Sequence, residues 1–173
     1  LEYRGYDSAG ICIGQDNNLF VRRAVGRISV LENTLETGTP LPAGHFGMAH
    51  TRWATHGAPT ENNAHPHMDE HHKIALVHNG IIENYATLKK FLTDKGWHFS
   101  SQTDTEVLAV LIAHFYKLDQ AGGLAKAVQA ALHETRGTYG IAVMCADEPN
   151  SLVVARRGSP LIIGVGKDEY IVA

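Results

Sequence analysis

The run Thr103-Asp104-Thr105-Glu106-Val107-Leu108-Ala109-Val110-Leu111-Ile112-Ala113-His114-Phe115-Tyr116-Lys117-Leu118 places a helix near the middle of the chain. Thr103 stands as an N-cap with Glu106 three residues on, the spacing of a capping box in which the carboxylate reaches back to the cap. Val107, Leu111, Phe115 and Leu118 then recur at helical spacing and define an apolar face. Upstream, Asn84 to Lys95 predicts another helix, halted at Gly96 by a residue type favoured just past a helix C-terminus. Trp97 to Ser100, between the two, predicts a strand. Downstream, Leu124 to Thr135 predicts a third helix carrying Leu124, Val128, Ala131 and Leu132, with Gly137 beyond its end.

Strands flank this helical block. Ile11 to Gly14, Leu19 to Ala24, Gly47 to Trp53 and Ile74 to His78 precede it. Tyr139 to Ala146, Leu152 to Arg156, Leu161 to Gly166 and Tyr170 to Val172 follow it, all bounded by Gly, Asn or Pro signals. Asn33 to Gly44, with two prolines and two glycines, reads as a surface loop. Short links between the final strands favour antiparallel neighbours, since a parallel pair needs a crossover of a dozen residues or more. Grouped strands and grouped helices predict an α+β layered domain. The strands are apolar enough to be covered on both faces, which stacks the sheets between helices.

At 173 residues, the chain suits one domain with a core that needs no disulfide or metal staple. Lys and Arg total 15 against 18 Asp and Glu, a net charge of -3. That balance gives no electrostatic pull toward phosphate backbones, so no nucleic-acid partner is expected. The longest apolar runs, such as Ile141 to Ala146, fall far short of a bilayer span, so no membrane partner is expected either. Leu1-Glu2-Tyr3-Arg4 lacks the charged start and apolar core of a signal peptide. Only two cysteines occur, Cys12 and Cys145, too few for a secreted disulfide scaffold. Both sit within apolar strands and are expected as small buried core residues. A cytoplasmic domain is the expectation.

Eight of the eleven histidines (45, 50, 56, 65, 67, 71, 72 and 78) fall between positions 45 and 78. Imidazole suits Zn²⁺, but the spacing offers no His-x-x-x-His on a helix, no Glu in the place a zinc protease needs and no Cys-x-x-Cys. No metal site is expected. Three other segments carry the functional signal: Arg4-Gly5-Tyr6-Asp7-Ser8-Ala9-Gly10, His50-Thr51-Arg52-Trp53-Ala54-Thr55-His56-Gly57 and His78-Asn79-Gly80-Ile81-Ile82-Glu83-Asn84. Each gathers polar, glycine and aromatic residues where a strand runs into a turn, the usual place for binding groups. Singly, each also has a plain structural reading. Asn79-Gly80 is a common turn pair, Arg52 suits a surface ion pair, Trp53 suits a core, and Asp104 suits the positive end of a helix.

Together the segments resemble the glutaminase domain of the glutamine–fructose-6-phosphate aminotransferase family, class II glutamine amidotransferases of the N-terminal-nucleophile hydrolase superfamily. The resemblance takes in Asn63-Ala64-His65-Pro66-His67, Thr103-Asp104-Thr105-Glu106, Arg136-Gly137-Thr138-Tyr139-Gly140 and Ala155-Arg156-Arg157-Gly158-Ser159-Pro160-Leu161, and so runs the length of residues 1–173. Purine-pathway phosphoribosyl amidotransferases share a looser version, while the runs at 52–57 and 79–84 point to the hexosamine branch. The resemblance implies a four-layer αββα sandwich of two antiparallel sheets between helices. It implies hydrolysis of L-glutamine to glutamate, with ammonia supplied for conversion of fructose 6-phosphate to glucosamine 6-phosphate. No cofactor is implied. Sugar isomerase domains of the same polypeptide and a homo-oligomeric full-length enzyme are.

By this resemblance Arg52 and Asp104 hold the α-carboxylate and α-ammonium of glutamine. A planar guanidinium fork suits the first and a carboxylate the second. The Asn79 side chain and the Gly80 backbone N–H are similar to an oxyanion hole, and the absence of a Cβ at Gly80 suits close substrate approach. Thr55, His56 and His65 resemble residues lining the pocket and its cover. Trp53 resembles the aromatic gate through which ammonia leaves, and Arg4 a support for the nucleophile. The family nucleophile is an N-terminal cysteine whose own amino group is the base. It is expected roughly two dozen residues before a run that here begins at residue 4. The chain is therefore expected to be a fragment without that segment and inactive by itself. A glutamine-binding or scaffolding module without catalysis stands as the alternative.

Overall fold

The computed structural model describes residues 5–53 and 57–173, and the period-two alternation of its strands explains its layers. Strands β1 (Ser8–Gln15), β2 (Asn18–Val25) and β3 (Phe46–Arg52) form one antiparallel sheet in the order β2-β1-β3. Strands β4 (His67–Met68), β5 (Ile74–Ile82), β6 (Gly137–Cys145) and β7 (Leu152–Arg157) form a second, in that order. β8 (Ile163–Val165) and β9 (Tyr170–Val172) pair as a separate hairpin. Four α-helices, α1 (Ile28–Thr37), α2 (Tyr85–Asp94), α3 (Asp104–Leu118) and α4 (Gly123–Glu134), and two short 3-10 turns, Glu61–Asn63 and Gln120–Gly122, complete the described elements.

Successive strand residues point to opposite faces, and both faces of β5 are used. Ile74, Leu76 and Ile82 join the core beneath α2, α3 and α4, beside Val107, Leu111, Leu124 and Val128. Ala75 and Val77 face the other sheet and pack with Cys12, Met48 and Met144. A third core, built on Ala9, Ala24 and Leu31, seats α1 on the outer face of the first sheet. The layers therefore run α1, sheet, sheet, α2–α4: the expected αββα sandwich.

Some expectations change. The loop expected over Asn33 to Gly44 begins inside α1. This helix starts at Arg27 without a side-chain cap and has no acidic residue in its first turn. Packing of Ile28, Leu31 and Leu35 on the sheet holds it, a tertiary effect that local signals do not carry. Trp97 to Ser100 is not a strand. The Ser100 and Ser101 backbone N–H groups, with both hydroxyls, donate instead to Glu106 at 2.7–2.8 Å. That also revises the capping box. Thr103 does cap α3 by accepting the Glu106 N–H, but the Glu106 carboxylate holds the preceding turn rather than reaching back to the cap. Leu118, expected on the apolar face, is 69% exposed, because α3 emerges from the core in its last turn. The two-residue link Asp16-Asn17 has positive φ at both positions (51° and 57°), the conformation that joins tightly twisted antiparallel strands.

Candidate active site

At one end of the sandwich, a cavity of about 180 Å³ opens between the strand ends and the start of α3. Met48 faces the other sheet, so alternation puts His50 and Arg52 of β3 on that same inner face. Ala75 and Val77 do the same for Asn79 of β5. The two sheets thus deliver His50, Arg52 and Asn79 to the cavity from opposite sides, and Asp104 comes from the first residue of α3. Trp53, His65, His78, Gly80, Thr103 and Thr105 also line it.

Arg52 is 5% exposed, which removes the surface ion-pair reading. Its two terminal nitrogens donate to the carbonyls of Ala58 and Gly57 at 3.5 and 3.3 Å. Burial lowers its pKa, while the carboxylates of Asp7 and Asp104 act in the opposite direction. Asp104 is buried as well, and its Oδ2 accepts the Ile82 N–H at 2.8 Å. A carboxylate in the first helical turn is further favoured by the helix dipole. Trp53, far from being core, is 60% exposed and packs its ring 5.7 Å from that of Tyr6 at the cavity rim.

Asn79-Gly80 is not a turn. Both residues lie inside β5, paired with Gly140 and Tyr139 of β6. Gly80 has φ of +139°, and a Cβ there would sit 2.1 Å from the Thr138 carbonyl oxygen. Glycine is required by the neighbouring strand itself, before any substrate is considered. Gly10 serves the site at a distance. A Cβ on it would lie 2.1 Å from the His65 carbonyl oxygen, so its bareness lets the segment carrying His65 cross β1.

The histidine cluster is organised by hydrogen bonds. His65 is buried, its ring 4.4 Å from that of His50 and 5.0 Å from that of His67. Its Nδ1 accepts the His78 backbone N–H at 3.4 Å. His78 Nδ1 shares a hydrogen bond with the Thr105 hydroxyl at 3.1 Å, and His67 Nε2 one with the Thr103 hydroxyl at 3.0 Å. Burial pushes all four rings toward the neutral form: His65 well below the ordinary value, His67 to about 3, and His50 and His78 downward. Neighbouring imidazoles and Arg52 push His65 the same way, whereas Asp104 opposes the shift at His78. Among the described residues, no group of three or more His, Cys, Asp or Glu is arranged to hold a metal ion.

The structure therefore brings Arg52, Trp53, His65, Asn79, Gly80 and Asp104 to one cavity. Arg4, Thr55 and His56 lie outside the described residues. His50 and His78 belong to the motifs at 50–57 and 78–84, but their sequence alone assigns them no role. Their signal was position: each is two residues or fewer from a residue singled out. Cys12 and Cys145 are buried free thiols in the sheets, and burial raises the Cys12 pKa to about 12. The cavity thus holds a cation, an anion, an amide and neutral imidazoles. It can clamp a zwitterionic amino acid by its charged end and offer N–H groups to a carbonyl.

This architecture is that of the class II, N-terminal-nucleophile amidotransferases. Glutamine phosphoribosylpyrophosphate amidotransferase from B. subtilis, solved with ADP and GMP, superposes with a TM-score of 0.76 at 29% identity over 98% of this chain and 36% of that one. A structure described as the allosteric regulatory enzyme of purine biosynthesis gives 0.80 at 30% identity, over 99% of this chain and 36% of that one. The family model described as a glutamine amidotransferase domain matches residues 50–173, and the chain belongs to that family. Among curated relatives, glutamine–fructose-6-phosphate aminotransferase [isomerizing] of Clostridium tetani is 48% identical over 100% of this chain and 28% of its own length. The Pseudomonas aeruginosa protein of the same name is 51% identical, again over 100% of this chain and 28% of its own length. The chain thus spans little more than a quarter of these relatives. No helix among the described residues is long and apolar enough to cross a membrane.

Proposed function

We propose that this domain is the glutaminase part of a glutamine–fructose-6-phosphate aminotransferase. It hydrolyses L-glutamine and passes ammonia to sugar isomerase domains of the same polypeptide, in a homo-oligomeric cytoplasmic enzyme. The observation that carries the reading is that Arg52, Asp104, Asn79 and Gly80 line a single cavity. Arg52 receives the α-carboxylate bidentately and Asp104 the α-ammonium. The side-chain carbonyl then points to the Asn79 amide N–H and the Gly80 backbone N–H. Attack on the amide carbon falls to the N-terminal cysteine that the family resemblance implies, with its own α-amino group as base. As that carbon becomes tetrahedral, its oxygen gains charge that the two N–H groups stabilise. Collapse expels ammonia past Trp53 and leaves a thioester, which water hydrolyses to glutamate. Thr55, His56 and His65 cover the substrate, and Arg4 supports the nucleophile.

Calorimetric titration of L-glutamine into the domain tests the binding half. Binding of L-glutamine that is lost on Arg52→Ala supports the reading. Ammonia release by protein carrying the leading cysteine, and none after its replacement by Ala, tests the chemical half. Glutamine binding without hydrolysis in the cysteine-bearing protein would leave a binding module instead.

A further inference from the structure

His50 reaches from one sheet to the other. Its Nε2 lies 2.9 Å from Asn79 Oδ1. An amide oxygen can only accept, so the ring donates and the Asn79 NH₂ is turned the other way. The second ring nitrogen, Nδ1, is buried and has no hydrogen-bond partner among the described residues. Were the carboxamide reversed, Nε2 would accept and Nδ1 would have to carry the proton as an orphaned buried donor, the rarer and costlier arrangement. The ring face rests against His65 at 4.4 Å with 30° between planes, which fixes its tilt. His65 is itself held by the His78 backbone N–H.

A carboxamide free to rotate by half a turn would offer Oδ1 as readily as Nδ2–H to a substrate oxygen. Oδ1 would repel an oxyanion. From these contacts we infer that His50 is a positioning residue for glutamine hydrolysis: by holding Asn79 Oδ1 it commits Nδ2–H to the developing oxyanion. This rests on Asn79 being an oxyanion donor. Burial keeps the His50 imidazole neutral at neutral pH, so the ring acts as a fixed neutral donor and adds no charge of its own to the cavity.

The test compares four variants of the intact glutamine-hydrolysing polypeptide. His50→Phe keeps a ring on His65 but removes the donor. kcat should fall about 10- to 100-fold, short of the roughly 10²–10³-fold loss expected when an oxyanion donor is deleted outright. KM for glutamine should change less than about threefold, because the ground-state carbonyl gains little from Nδ2–H. His50→Gln, which restores an N–H donor, should recover part of kcat. In the double variant with Asn79→Ala, His50→Phe should cost nothing further, since it acts through that side chain. Independently, nitrogen NMR of the 173-residue chain should show His50 as the neutral Nε2–H tautomer. If Asn79→Ala leaves kcat intact, the oxyanion assignment fails and the inference with it. If Asn79→Ala lowers kcat but His50→Phe does not, or the two losses multiply, only the inference fails. A protonated Nδ1 would overturn it as well.

Discussion

The carboxylate of Asp104, first residue of α3, accepts the backbone N–H of Ile82, last residue of β5, at 2.8 Å. One bond thus fixes a charged cavity residue to the strand that carries Asn79 and Gly80. In the proposed roles, an ammonium-binding carboxylate and an oxyanion hole sit on separate elements, and such a tie helps to hold their spacing. Asp104→Asn preserves an acceptor for Ile82 but turns an NH₂ toward the substrate ammonium. Glutamine KM should rise at least about tenfold, with Tm nearly unchanged, because a charge-assisted bond is lost at little structural cost. Arg52→Lys should raise KM too, since a point ammonium cannot reproduce the bidentate fork. Steady-state kinetics with glutamine as the varied substrate checks both, and unchanged saturation would remove these residues from the clamp.

Asn79 separates binding from chemistry. Asn79→Ala should lower kcat by about 10²–10³ while moving KM little, the signature of a group that acts on the transition state. Asn79→Asp still accepts from His50 but presents a carboxylate oxygen to the oxyanion. It should be at least as damaging, with thermal stability near that of the parent. Because Asn79 lies within β5 and not in a turn, loss of turn geometry does not account for either result. An active Asp variant would refute the donor role.

Much of this arrangement could be read before the fold was known, and the exceptions have physical causes. Thr103 and Gly96 mark helix ends through local chemistry, whereas Gly137 opens β6, where a Cβ would lie 2.1 Å from the Ile81 carbonyl oxygen. β5 shows burial on both faces in its apolar start, Ile74 to Val77. α1 leaves no such mark, because its stability comes from Leu31 against the sheet and not from its caps. Trp97 and Phe99 have strand-forming side chains, yet the backbone after them is claimed by Glu106. The site divides the same way. Arg52, Asn79 and Asp104 stand out by type and motif. His50 and His78 need β3, β5 and α3 packed together in space before their partners exist.

The buried histidines predict acid lability. Folded His67 takes up a proton only near pH 3, against an ordinary value of 6.5. Between those values the unfolded chain holds the extra proton, so stability falls as pH drops, by up to about 1.4 kcal/mol per pH unit for each such group. His65 contributes with the same sign. Chemical denaturation from pH 7 to 4 should show this slope, and His67→Gln should flatten it by about one proton. An equal slope in the variant would mean that His67 is not neutral in the fold.

Cys12 and Cys145 should be chemically silent. Both are fully buried, and burial raises both thiol pKa values, Cys12 to about 12. Thiolate is the reactive form, so a thiol reagent at pH 7.5 should label neither residue in native protein and both after denaturation. Neither thiol lines the cavity. The 173-residue chain should therefore bind glutamine without releasing ammonia. Turnover that survives Cys12→Ser with Cys145→Ser would require a nucleophile of another kind.

Glu106 carries the last prediction, because its carboxylate does the work of a loop anchor inside the protein. It is 3% exposed and accepts from the Ser100 and Ser101 backbone N–H groups and from both serine hydroxyls. A buried carboxylate is tolerable only when its lone pairs are filled in this way. Glu106→Gln keeps the size but points an NH₂ at donors that the carboxylate now satisfies. Hydrogen bonds to a charged group contribute about 1.5–3 kcal/mol each, so the variant should lose roughly 2–4 kcal/mol after relaxation. For a domain of this length that corresponds to a Tm about 5–15 °C lower. The turn leads directly into Thr103 and Asp104, so glutamine affinity should fall as well, although Glu106 does not line the cavity. Glu106→Asp, which keeps the charge on a shorter stem, should fall between parent and Gln. A Gln variant with parental Tm and parental glutamine binding would show that the Ser100–Ser101 turn stands without its carboxylate.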